Sequence, residues 1–488
     1  MIDLQLNFIS NPTTFRWFNI LNFIERNRVF TISELAEEFN MSQRTIANDL
    51  RELKEHFVDC AIFNSSSSGF TFEEVSLSLY KERKKKLLEN EILFELIENI
   101  FYGKLERIDE LAYSYNYSES TFRRLLSKCS PQLKSYGLAW KSNPLTINGN
   151  EASLRKFYKD FFYEGIETPY SIFPDQKLQD LLLNTLSDGL NIANYNVASG
   201  TTPTAFYYDF TIAIKRAQQG FKVSIPKQLL EQVHEEKDFL LLLSLKEGIS
   251  DIFGFHLPKE EFAWIYLVTV CNRTFNYEKF ESNFYTHFNL WPELEGITEK
   301  YLRELTTNAR TRSKLAIFLK SFFLSIKIRD CIDPVLNKEA VDILNTIMSR
   351  DNSLFERNLK FLQQFYSHLL TSDKYIQDIC TSLTSYSILL FEYYAPSKKV
   401  FFLLEGNHLA CQFIRIKAIQ KFGNKHTLVF IPIQTLTREK LSMADMDLLV
   451  TNYSRYISDV IGDINYILIK TIPDNRDWLN IQTQLNSC

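Results

Sequence analysis

The chain has 488 residues, with 55 Lys+Arg against 59 Asp+Glu and a formal net charge of −4. A hydrophobic content of 45% with 23% charged residues excludes wholesale disorder, and a domain of about 100–200 residues predicts three to five units rather than one. Only 14 Gly and 13 Pro accompany 40 Phe, where ~7% Gly and ~5% Pro are ordinary, so long helices packed through aromatic side chains are predicted and a turn-rich β-sandwich or barrel is not.

The start, MIDLQLNFIS, lacks the basic region and apolar core of a secretory signal. Apolar runs such as Phe239–Leu245 are far shorter than the ~18 residues that span a bilayer, so a soluble protein without membrane contact is expected. The 7 cysteines are scattered singly with no CxxC. That suggests neither a disulfide framework nor a zinc module, and the odd count fits a reducing cytoplasm.

The first ordered feature is an internal repeat. Ile32, Glu34, Leu35, Ala36, Asn40, Ser42 and Thr45 recur as Ile108, Glu110, Leu111, Ala112, Asn116, Ser118 and Thr121. Phe18, Leu21 and Ile24 correspond upstream to Phe94, Ile97 and Ile100, and Leu50 corresponds downstream to Leu126. Each copy reads as three helices, and its second and third fit a helix-turn-helix. Ala36 and Ala112 supply the small side chain that a close helix crossing needs. Asn40 and Asn116 occupy the turn, where Asn tolerates a left-handed backbone. Ser42 and Ser118 are placed to N-cap the third helix. Thr31 with Glu34 makes a capping box that the second copy, with Arg107, does not share. Each copy is followed by a predicted β-wing, over 61–73 and over 138–149.

Beyond about residue 165 the chain reads as amphipathic helices, broken at Ser171–Gln176, Thr286–Gly296 and Tyr393–Lys399. The apolar runs Val400–Leu404, Leu428–Ile433, Asp447–Thr451 and Tyr466–Lys470 then alternate with helical stretches, which predicts a small α/β fold with a parallel sheet.

In a helix-turn-helix the start of the third helix enters the major groove of DNA. That places Gln43, Arg44, Thr45, Asn48 and Arg51 at the groove in the first copy, and Ser120, Thr121, Arg123, Arg124 and Lys128 in the second. Arg pairs with guanine, and Gln or Asn with adenine. The plainer alternative is a solvated helix face. Residues 1–160 balance in charge, but Arg123, Arg124, Lys128, Lys134, Lys141, Arg155, Lys156 and Lys159 face only Glu151 within 121–159. The run Lys81-Glu-Arg-Lys-Lys-Lys86 adds a second basic cluster. Both suit phosphate contact, the second competing with a merely solvated helix start. No GxSxG, HExxH, Walker or GxGxxG motif occurs, and neither a catalytic site nor a metal or cofactor site is predicted.

The tandem units, the segment Asn143–Arg155, two helical units and a terminal α/β module together resemble the Mga-like family of Gram-positive stand-alone transcriptional regulators, related to the anthrax-toxin activator type. The resemblance implies a mainly α, multidomain chain: winged helix-turn-helix units over 1–75 and 76–165, two all-helical phosphotransferase-system regulation domains (PRDs) over 166–288 and 289–394, and an enzyme IIB-like α/β domain over 395–488. It implies double-stranded DNA as the partner, self-association through the C-terminal domain, a phosphotransferase-system phosphocarrier as a second partner, and phosphorylatable histidines in the PRDs. Ala213-Ile-Lys-Arg216 matches the end of one PRD pattern, but the histidine position holds Asp209. Leu257-Pro-Lys-Glu-Glu261 matches another, whose histidine position holds Val268. Asp209 reads either as a fixed negative charge in place of a switched one or as a simple surface acid. His234, His256 and His368 remain as candidate regulatory residues. Cys411 lies too far past the first strand to match the enzyme IIB phosphocysteine. The alternative function is a phosphotransferase-system phosphoacceptor without DNA binding. An RNA-binding antiterminator is disfavoured by the helix-turn-helix pair.

Overall fold

The computed structural model of the chain describes residues 1–66, 69–189, 202–305, 309–394, 397–431, 446–455 and 465–486. Helix α1 (Asp3–Leu6) opens it. α2 (Pro12–Asn27) follows, N-capped by Asn11, whose side chain accepts from the amides of Thr13 and Thr14, with Pro12 at the position that needs no amide donor. Strand β1 (Val29–Phe30), α3 (Ile32–Glu38) and α4 (Gln43–His56) lead into the hairpin β2 (Ala61–Ser66) and β3 (Gly69–Glu74). The hairpin is the predicted first wing. β1 adds a third strand, antiparallel to β3 with Phe30 opposite Phe70. A run of two residues carries no alternation, so β1 was not legible in the sequence.

The second copy comprises α5 (Leu77–Lys86), α6 (Ile92–Phe101), α7 (Ile108–Ser114), α8 (Glu119–Ser135), the hairpin β4 (Ala139–Ser142) and β5 (Leu145–Asn148), and α9 (Glu151–Phe162). Each copy has its own core. Leu21, Ile24, Leu35, Ile46, Leu50, Leu53 and Phe57 fill the first, and Ile97, Leu111, Phe122, Leu126 and Leu133 lie in the second. One repeated position is used differently. Phe18 turns away from its own copy and packs in the second core with its counterpart Phe94. The chain start joins it there, through Leu4, Leu6, Phe8 and Ile9.

Helices continue through α10 (Gln176–Gly189), α11 (Pro203–Gln218), α12 (Lys227–Glu235), α13 (Lys237–Leu243), α14 (Lys246–Phe253) and α15 (Lys259–Val270). They go on through α16 (Glu278–Phe288), α17 (Glu293–Leu305), α18 (Ala309–Ile332), α19 (Val341–Arg350), α20 (Asn352–Leu369) and α21 (Ile376–Tyr394). By packing, the chain divides into two compact units, Met1–Glu295 with Lys320–Thr384, and Gly296–Leu319 with Ser385–Cys488. Among the described residues no helix is long and apolar enough to cross a membrane.

The C-terminal sheet is parallel throughout, as the sequence implied. β6 (Lys399–Leu403), β7 (Thr427–Phe430), β8 (Leu448–Thr451) and β9 (Tyr466–Leu468) run in the order β7-β6-β8-β9. α22 (His408–Phe422) and α23 (Asn475–Asn486) complete it. Val400, Phe402, Leu448 and Val450 pack with Ile414, Ala418, Phe422 and Ile481. All four residues of β8 are buried, as for a central parallel strand covered on both faces. Residues 432 and 433 of the run Leu428–Ile433 lie outside the described residues.

Candidate nucleic-acid interface

The two helix-turn-helix copies are built by the same local devices. Asn40 and Asn116 have φ of 50° and 56°, the left-handed region that Asn tolerates better than most residues. The turns close alike. The Met41 amide donates to the Ala36 carbonyl (2.9 Å) and the Tyr117 amide to the Ala112 carbonyl (2.8 Å), the six-to-one bond of a Schellman stop. Ser42 then caps α4 by accepting from the Thr45 amide (3.1 Å), and Ser118 caps α8 by accepting from the Thr121 amide (3.2 Å). The Thr31–Glu34 capping box is complete. In the second copy Glu110 still accepts from the Arg107 amide (3.1 Å), so half of the box survives without the hydroxyl.

These caps fix which side chains face water. On α4, Gln43, Arg44, Asn48 and Arg51 are exposed. Arg44, Asn48 and Arg51 form one stripe at i, i+4, i+7, and neither arginine has an ion-pair partner among the described residues. Thr45 is half-buried, its hydroxyl 2.8 Å from that of Ser42; it serves the cap more than the surface. On α8, Ser120, Arg124 and Lys128 form a similar exposed stripe at i, i+4, i+8, with Ser127 as the counterpart of Arg51. Arg123 is exposed but paired with Glu119 one turn back (2.6 Å), and the Thr121 hydroxyl lies 2.8 Å from that of Ser118.

Three features were not read from the sequence. Ser33 on α3 accepts from the Gln43 amide group (3.2 Å) and orients it. Buried Asp49, on the inner side of α4, accepts from Arg16 Nε and Nη2 (2.9 Å each) and from the Trp17 indole (3.2 Å), which pins α4 against α2. Tyr113 and Tyr117, beside the turn of the second copy, are 86% and 40% exposed, where the first copy has Glu37 and Met41. Only Asp49 carried a signal, as a lone acid on the apolar face of a predicted helix.

The basic clusters are smaller than the sequence implied. In the 81–86 run, Lys84 is buried against Glu25 (2.7 Å), Lys85 pairs with Glu167 (2.6 Å), Lys86 with Glu82 (3.0 Å) and Arg83 with Asp59 (3.1 Å). Within 121–159, Lys156 pairs with Asp160 (2.6 Å), and buried Arg155 holds both Glu151 and Glu261. Much of the charge counted along the chain is paired, in part with carboxylates one helical turn away and in part with carboxylates brought in from elsewhere. Arg124, Lys128, Lys134 and Lys141 remain exposed.

The candidate regulatory residues do not converge. Asp209, read as a surface acid or a fixed charge, is buried on α11 and paired with Lys159 of α9 (2.7 Å), so the surface reading is corrected. Burial raises its pKa while Lys159 opposes the shift. Asp209 and Val268 line the same cavity. His234 is half-buried on α12, its Nε2 has no hydrogen-bond partner, and burial lowers its pKa, with Lys259 adding to the effect. His256 is exposed before α15, and His368 is exposed near the end of α20. His287, which the sequence did not single out, has Nε2 2.8 Å from the Gln232 carbonyl and Nδ1 3.3 Å from Glu236. Cys411 sits a turn into α22 rather than in the loop before it. Among the described residues no cluster of three or more His, Cys, Asp or Glu could hold a metal ion.

Comparison with known proteins agrees with this geometry. Residues 16–70 match a helix-turn-helix domain family, and residues 78–162 match the Mga helix-turn-helix domain. The chain is 27% identical over 237 residues to the capsule synthesis positive regulator AcpA of Bacillus anthracis, a match spanning 46% of this chain and 47% of AcpA. It spans about half the length of that relative. It is also 22% identical to the capsule synthesis positive regulator AcpB of the same organism, over 96% of this chain and 98% of AcpB. Identity to the anthrax toxin expression trans-acting positive regulator of Bacillus anthracis is 20%, over 96% of this chain and 97% of the relative. Two helix-turn-helix domains therefore stand in tandem, the second of the Mga type, in a chain that resembles Mga-like positive trans-acting regulators along nearly its whole length.

Proposed function

We propose that the chain is a DNA-binding transcriptional regulator, an activator, that grips duplex DNA through both helix-turn-helix copies. The observation that carries this reading is the pair of third helices capped alike, each with a stripe of exposed polar side chains: Arg44, Asn48 and Arg51 on α4, Ser120, Arg124 and Lys128 on α8. Arg44, Gln43 and Asn48 read base edges in the major groove. Arg124 and Lys128 contact phosphates, with Arg123 joining them once Glu119 releases it. The helical domains over 166–288 and 289–394 regulate this grip, with His234, His256, His368 and Asp209 as the regulatory residues and a phosphotransferase-system phosphocarrier as their partner. The 395–488 module joins protomers, a role supported by Leu409, Phe413, Ile416 and Ile419, all exposed along α22.

An anisotropy titration of the full chain with a selected duplex tests the groove assignment. Arg44→Ala is expected to weaken binding by ~1–3 kcal/mol and to relax sequence preference. Arg124→Ala is expected to weaken binding alike on all sequences and to lower the slope of log affinity against log salt by about one. If neither change moved the titration, the assignment would be wrong.

A further inference from the structure

We propose that a cavity between α9 and the helices that follow it binds a small phosphorylated sugar or polyol, non-covalently. The cavity measures about 330 Å³, within the range of sites for small molecules. Its walls come from α9, α11, α15, the end of α18 and the segment before α19.

The cations on those walls are of two kinds. Lys156 and Lys159 are already neutralised by Asp160 and Asp209. Arg329 and Lys338 are not. Arg329 is half-buried and donates from Nη2 to the Cys271 carbonyl (2.9 Å) and the Asn272 side-chain oxygen (2.8 Å), both neutral. Lys338 is half-buried, with its ammonium 5.2 Å from the centre of the Tyr136 ring. Neither forms an ion pair within 4 Å among the described residues, and the nearest carboxylates felt by Lys338 are Asp3 and Asp378. A half-buried guanidinium whose partners are all neutral is costly, and an oxyanion entering the cavity offsets that cost at Arg329, with the Lys338 ammonium on the same walls as a second donor. A phosphate group suits a guanidinium and an ammonium together.

The remaining wall specifies what the phosphate is attached to. Glu164 and Glu339 line the cavity without a cationic partner closer than 4 Å among the described residues; one oxygen of Glu339 already accepts from the Ser382 hydroxyl (2.6 Å), and the other, with the Glu164 carboxylate, can accept from hydroxyl donors. Trp264 adds an apolar ring at the wall. Oxyanion donors, hydroxyl acceptors and an aromatic surface in one cavity make the complement of a hydroxylated phosphomonoester. No histidine lines the cavity, and Asp160 and Asp209, which do, are each paired with a lysine, so the ligand is held rather than transferred. The inference does not depend on the DNA-binding reading. Because Glu164 directly follows α9 while Arg329 lies at the end of α18 and Lys338 before α19, a ligand held by all three would tie the end of the second helix-turn-helix copy to those later helices.

Isothermal titration of the full chain with glucose 6-phosphate, inorganic phosphate and glucose tests this. Glucose 6-phosphate is expected to bind more tightly than inorganic phosphate, and glucose not to bind. Lys338→Gln and Arg329→Gln are each expected to weaken glucose 6-phosphate on the order of tenfold, the loss of one charge-assisted hydrogen bond. Glu339→Gln is expected to weaken the sugar phosphate and leave inorganic phosphate unchanged. Lys338 is half-exposed in an irregular segment, so its variant keeps the test valid if Arg329→Gln does not fold. Absence of glucose 6-phosphate binding, or binding unaffected by Lys338→Gln, overturns the proposal. Inorganic phosphate binding as tightly as glucose 6-phosphate overturns its sugar component.

Discussion

Asn40 and Asn116 show how much one residue can reveal when it occurs twice. An Asn in a predicted turn is a weak signal, but the same Asn followed two residues later by the same Ser in two copies fixes both the left-handed turn and the cap. The basic run at 81–86 shows the converse. Lys84 reads as a phosphate contact until the fold brings Glu25, 59 positions away, to its ammonium. Ion pairing over such separations leaves no periodic trace in a sequence. Asp238 on α13 is another residue whose character only the fold reveals. Burial, with Glu236 second, pushes its carboxyl up to about 7, and one of its oxygens has no hydrogen-bond partner. The folded chain therefore keeps a proton that the unfolded chain releases near the ordinary carboxylate pKa of about 4. The stability this group contributes is fully present below about pH 4 and is lost as pH rises to about 7. Asp238→Asn is expected to match the parent protein near pH 4 and to exceed it above about pH 7 when both are unfolded in urea. A difference that stays constant with pH would contradict the assignment.

At the scale of elements, the third helices depend on their caps. Ser42→Ala and Ser118→Ala remove the acceptors for the Thr45 and Thr121 amides, and each is expected to cost about 1 kcal/mol in urea unfolding. Asn40→Val, which places a β-branched residue at φ of 50°, is expected to cost at least as much. Helix α9 carries a different burden. It was legible as the end of the second copy, but not as the element that ties that copy to the helical domain. Its Arg155 donates to both oxygens of Glu261 with both side chains almost wholly buried, and its Glu151 accepts from Arg216 of α11. Removing one partner of a buried pair leaves an uncompensated charge, so Arg155→Ala is expected to cost about 3–5 kcal/mol. The double replacement Arg155→Met with Glu261→Leu, which leaves no lone charge, is expected to recover most of that loss. A double variant as unstable as Arg155→Ala would show that the pair's charge is not what the fold needs.

Across the whole molecule, the succession of two helix-turn-helix copies, a run of helices and a parallel sheet was legible from the repeat and the four apolar strand runs, because each reflects local periodicity. The docking of the chain start was not. Nothing in Leu4, Leu6, Phe8 and Ile9 announces that they fill the core of a unit some hundred residues on, or that Gln5 there donates to the Phe161 carbonyl (3.0 Å) and accepts from the Ile166 amide (2.9 Å). Phe8 is fully buried, with its ring centre 5.1 Å from that of Phe161. Phe8→Ala is therefore expected to cost ~3–5 kcal/mol and to lower the unfolding midpoint of the second copy, although the substitution lies before the first. The central claim is that both copies engage one duplex, and hydroxyl-radical footprinting of the full chain on a duplex selected from a random pool tests it most directly. Two protected segments are expected, with Arg44→Ala erasing protection at one and Arg124→Ala at the other. A single protected segment that responds to only one of the two substitutions would contradict it.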